Sequence, residues 1–139
     1  MFQRKQSLLL LLAFASMLGS LFVDLASADG LSLNAFHLKG GEENNYLPTF
    51  GGYIAALAIG LTFGALLSFK DRKKQMILTN IAMLASWAFV AFEVYLINVH
   101  QLEFSLWLIL PFEAGFLCLM AKRLIKKDDD LVKSVDRIR

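Results

Sequence analysis

Four apolar stretches, at residues 7–23, 50–69, 76–98 and 104–121, constrain what this 139-residue chain can fold into. Each approaches or exceeds the roughly 20 residues a helix needs to cross a hydrocarbon core, and Glu93 and Glu113 are the only charges within them. The charges between the stretches are sorted. Arg4, Lys5, Lys70, Arg72, Lys73, Lys74 and the basic residues of 122–139 fall on one side of a four-pass arrangement, and only Lys39 falls on the other. An excess of Lys and Arg marks the cytoplasmic side of a membrane protein, so both termini are expected there. The expected fold is all-α: a polytopic membrane protein with four transmembrane helices and a cytoplasmic amphipathic C-terminal helix, one domain over residues 1–139.

With 57% hydrophobic residues, the chain has no room for a separate soluble domain. Its formal charge of +2 averages over two unlike sides. Asp24, Asp29, Glu42, Glu43 and Glu103 belong to the expected exterior, which leaves the other side strongly basic. Such a surface is drawn to anionic headgroups, each Lys or Arg contributing about 1 kcal/mol. Nucleic acid is not an expected partner, because no aromatic-interleaved basic patch or nucleic-acid-binding signature accompanies the charge. Cys118 is the only cysteine, so no internal disulfide is possible, and its apolar flanks read as those of a small buried hydrophobe.

Residues 1–28 combine a basic start, an apolar run and the small residues Ala26, Ser27 and Ala28, as a cleavable signal would. The length of the run favours a retained first helix. The exterior connection, 24–49, is expected to be irregular, because Gly30, Gly40, Gly41, Asn44, Asn45 and Pro48 interrupt it. His37 lies there without a second histidine or cysteine at ligand spacing, so no metal or other cofactor is expected.

In the second stretch Gly52, Ala56, Gly60 and Gly64 recur every four residues, and Gly60 and Gly64 form a GxxxG pair. Small side chains on one helix face permit close backbone approach, so this face is the expected site of helix packing or partner binding. Glu113 and Glu93 form the candidate intramembrane polar site. A carboxylate facing lipid is costly, so each is expected to be protonated, paired or hydrated. No buried base is visible to pair with them. No nucleotide fingerprint, zinc-hydrolase motif or nucleophile–base set is present, and no enzymatic activity is expected.

From Lys122 onward Leu124, Leu131, Val135 and Ile138 recur at helical intervals, with Lys126, Lys127, Asp128, Asp129, Lys133 and Arg137 around them as a candidate cytoplasmic docking surface. Two segments, Met1-Phe2-Gln3-Arg4-Lys5-Gln6-Ser7 and Ile125-Lys126-Lys127-Asp128-Asp129-Asp130-Leu131-Val132-Lys133-Ser134-Val135-Asp136-Arg137-Ile138-Arg139, resemble a family of small four-pass membrane proteins from Bacteroidetes-type bacteria, domain of unknown function 4293 (DUF4293). Asp128, Asp129 and Asp130 stand where members of that family often carry Asp-Glu. The resemblance implies a bacterial inner-membrane location and supplies no catalytic residues. The expected role is a non-catalytic inner-membrane scaffold or accessory subunit, with membrane lipids and another membrane protein or a second copy as partners. The alternative is a small transporter, or a proton- or cation-coupled component, using Glu93 and Glu113.

Overall fold

The computed structural model describes residues 2–28, 30–40 and 46–136. Four helices carry the chain: α1 (Phe2–Ser20), α2 (Gly51–Leu67), α3 (Arg72–His100) and α4 (Ile109–Asp136). Five short strands, β1 (Ala26–Ala28), β2 (Leu31–Leu33), β3 (His37–Lys39), β4 (Tyr46–Pro48) and β5 (Glu103–Phe104), form one antiparallel sheet in the order β4-β3-β2-β1-β5. The helices form a ring in which α1 packs on α2 and α4, and α3 packs on α2 and α4. Gln6, near the start of α1, donates to the Leu124 carbonyl late in α4 at 3.1 Å, so α1 and α4 run antiparallel.

The bundle holds together through one apolar core. Leu10, Ala13 and Met17 of α1 meet Ala55, Ala58 and Ala65 of α2, Phe89 of α3 and Ala114, Cys118 and Ala121 of α4. Alanine dominates at these contacts, which brings the helix axes close and relies on dispersion over many atom pairs. Hydroxyls inside the bundle are satisfied locally. Thr62, Thr79 and Ser86 each donate to the carbonyl four residues earlier, at 2.7 to 2.9 Å. The α2–α3 turn is tight because Asp71 caps α3, its Oδ1 accepting from the Lys74 amide at 3.1 Å. At the other end Gln101 takes a left-handed conformation (φ 53°) and its amide closes α3 on the Ile97 carbonyl.

Two expectations are corrected here. The described part of the 24–49 connection is not irregular: it supplies four strands, and residue 103 onward returns to add the fifth beside β1, while Gly41, Asn44 and Asn45 lie outside the described residues. Ala26, Leu33 and Leu38 of that sheet pack against Ile97 and Leu102 as a second small core, so the fold is mostly helical but not all-α.

The four-transmembrane, polytopic arrangement is also not what the helices provide. Among the described residues only α3, with 29 residues, is long and apolar enough to cross a membrane. At 1.5 Å per residue the 17-residue α2 is about 26 Å long, short of a hydrocarbon core of about 30 Å. The apolar part of α1 is likewise short, at 5–20. The run that begins at residue 104 is spent partly on β5 and a 3-10 turn at Leu106–Leu108, so α4 starts at Ile109 and soon reaches Lys122 and Arg123. The multi-pass inner-membrane placement with cytoplasmic termini therefore loses its basis. What remains is one candidate span and two shorter apolar helices.

Candidate functional site

Glu93 is the most unusual side chain in the bundle. It is fully buried on the inner face of α3, and neither Oε1 nor Oε2 has a hydrogen-bond partner among the described residues. Its setting is built by three elements. Phe89, one turn earlier on α3, gives an aromatic wall, and the Ala35 carbonyl of the β2–β3 connection gives a polar one. Gly51, the first residue of α2, provides the space: a methyl there would overlap Oε1 and come within 3.0 Å of the Ala35 oxygen and 3.2 Å of the Phe89 ring. Phe50 precedes α2 without a side-chain cap, so the carboxyl of Glu93 lies at the uncapped, electropositive end of that helix. The Ala35 carbonyl is also held by the Thr49 hydroxyl, at 2.9 Å, which ties the loop to the start of α2.

Glu113 does not join it. It is exposed on α4, and the two carboxylates are not brought into one site. The GxxxG face divides as well. Gly52 is buried beneath the Phe36 ring, Ala56 and Gly60 are exposed, and Gly64 is half-buried near Leu78. Nothing lies within 4 Å of a side chain built at Gly60. The stripe that α2 buries is Gly51, Ala55, Ala58, Thr62 and Ala65, a neighbouring face that the every-fourth-residue pattern did not single out. Its spacing of three and four, the usual repeat of a buried helix face, was present in the sequence.

Trp87, inside the third apolar stretch, packs across to α4. Its indole stands over Gly115 of α4, where any side chain would collide with it, and its buried Nε1 has no partner among the described residues. Phe116 meets the same ring edge-on, with centroids 6.0 Å apart. Cys118 is fully buried, as its apolar flanks suggested. No cluster of three or more metal-ligating side chains occurs among the described residues.

At the end of the bundle opposite the sheet, α3 and the late turns of α4 are joined by polar contacts. Arg72 pairs with Asp128 at 3.2 Å and also donates to its backbone carbonyl at 3.2 Å, while Lys122 reaches the Asn80 side chain. Lys133 hydrogen-bonds Asp129, and this bond holds the Asp129 carboxyl below its usual range. Lys126 and Lys127 are exposed. Arg137, Asp29, Glu42 and Glu43 lie outside the described residues.

The family model described as Domain of unknown function (DUF4293) matches residues 2–138, nearly the whole chain. No curated protein matches it.

Proposed function

We propose that this chain, which belongs to the DUF4293 family, is a non-catalytic accessory or scaffold component that works against a membrane. One observation carries the reading: apolar side chains are exposed on the outward faces of all four helices. Leu8 and Leu11 of α1, Leu57 and Phe63 of α2, Leu84 of α3 and Phe116 of α4 are among them. Monomers in water rarely leave contiguous apolar surface of this kind uncovered. Lipid chains or an apolar protein partner would cover it, and among the described residues α3 is the one helix long and apolar enough to span. The exposed Gly60, bordered by Leu57 and Phe63, offers the closest backbone approach to such a partner.

A photo-crosslinking residue placed at Gly60 in the native membrane tests this reading. A discrete protein adduct is expected from position 60 and none from Ala58, which faces the core. Labelling of lipid alone from position 60, with the chain migrating as a monomer after gentle extraction, counts against an accessory role.

The buried carboxyl of Glu93, unpartnered among the described residues, favours a second reading, in which that residue alone binds a proton during coupled transport. Under this reading Glu93→Gln abolishes ion flux in sealed vesicles, whereas Glu113→Gln, on the exposed face, leaves it intact. Flux that survives Glu93→Gln removes it.

A further inference from the structure

We infer that the end of the bundle formed by the α2–α3 turn and the late turns of α4 is a docking surface for anionic phospholipid headgroups. This rests on the membrane-facing role proposed above and adds the lipid class. Three observations converge on it. First, the fold brings two basic segments to one end of the bundle, Lys70, Arg72 and Lys73 of the turn and Lys122, Arg123 and Lys126 of α4, because Arg72 bridges to Asp128 and Lys122 to Asn80. Second, the acidic residues here are largely engaged. Asp128 pairs with Arg72, Asp129 with Lys133 and Asp71 with Lys74, while Arg123 and Lys126 form no ion pair among the described residues. Third, Arg123, Lys126 and Lys127 line an open groove on α4 with Asp130, Leu131 and Ser134.

Leu131 and the neighbouring Val132 are exposed within this charged stretch. Basic groups around a short apolar ridge suit an interface where cations meet phosphates and the ridge reaches the acyl boundary. A free soluble anion would use the charges and leave Leu131 and Val132 in water. The same applies to Phe69 and Ile77, exposed beside the basic turn. The arrangement therefore commits the surface to headgroups in a bilayer. Asp130 is the one acid lining the groove, and it tempers the local charge without reversing it.

The test uses the full chain, purified in a mild detergent and mixed with equal amounts of phosphatidylglycerol and phosphatidylcholine, with retained lipid read by native mass spectrometry. The expected result is retention of phosphatidylglycerol over phosphatidylcholine by about fivefold or more, the factor that one charge near the surface supplies. Raising the salt should weaken that preference. The triple variant R123Q/K126Q/K127Q should lose it while still holding phospholipid, and R123K/K126R/K127R should keep it. Labelling of buried Cys118 during heating checks that both variants remain folded. Equal retention of the two lipids by the unmodified chain, or a preference that survives the triple glutamine variant, overturns the proposal. A chain that retains neither phospholipid overturns it too, and takes with it the membrane-facing role on which it rests.

Discussion

Gly51→Ala is expected to destabilise the bundle by about 1–3 kcal/mol, the usual cost of forcing a methyl into a filled site. The same change at Gly60, nine residues along the same helix, is expected to stabilise it by about 0.5–1 kcal/mol. The contrast isolates packing from helix propensity. A methyl at Gly60 meets nothing within 4 Å, so only the gain in backbone entropy remains. A methyl at Gly51 meets Glu93 Oε1, the Ala35 carbonyl and the Phe89 ring together. One of these walls is backbone and another is a core aromatic, so the carboxyl is the group that must move. Removing it should therefore relieve the clash. In Glu93→Ala, the added cost of Gly51→Ala should fall by at least 1 kcal/mol, a coupling of the size seen between residues in direct contact. Heating the detergent-solubilised chain with a thiol-reactive fluorophore gives the readout, because the only cysteine, Cys118, is buried until the bundle opens. Equal melting of the Gly51 and Gly60 variants would sink the idea that Glu93 is packed against the start of α2.

How much of this was readable beforehand depends on the range of the forces involved. Helix positions follow from runs of apolar residues: α1, α2 and α3 are centred on the first three stretches, and α4 begins within the fourth and continues past it. Their ends do not follow, because the ends are set by partners distant in sequence. β1 pairs with both β2 and β5, so Ala26 lies opposite Leu33 and Phe104. No local pattern in a three-residue strand announces such a pairing. That pairing withdraws residues from the fourth apolar run and shortens what looked like a span. Rotation about each helix axis is equally non-local. Glu93 and Glu113 are alike as charges in apolar runs, yet one faces Phe89 and Gly51 and the other faces outward. The GxxxG pattern marked residues capable of close approach, but which small-residue face would be filled depended on the partners of α2. The helical spacing of the charges in the late turns of α4 was legible, but their partners were not: Asp128 meets Arg72 and Lys122 meets Asn80, both on α3, and Leu131 of the expected apolar face is exposed.

The Glu93 carboxyl presents two opposing terms, and their sizes predict the outcome of Glu93→Met. The electropositive start of α2 favours a negative group nearby by about 0.3–1 kcal/mol, and by about 2 in the best buried geometry. Against this stands a polar group with no exposed surface and no hydrogen-bond partner among the described residues, which costs about 1–3 kcal/mol and more when charged. Desolvation wins. Methionine fills a similar volume with a flexible, apolar chain that can lie against Phe89 without a partner. Glu93→Met is therefore expected to raise stability by about 1–2 kcal/mol, in line with other replacements of buried charges by well-packed apolar groups. Glu93→Lys should do the reverse, placing a cation at the positive end of α2 and costing about 3 kcal/mol or more. Thermal labelling of Cys118 ranks the three proteins in one assay. If methionine instead lowers the midpoint while Glu93→Gln preserves it, the side chain is accepting from the first amides of α2. Glu93 then acts as that helix's cap, supplied from α3 in place of the side-chain cap that Phe50 cannot provide.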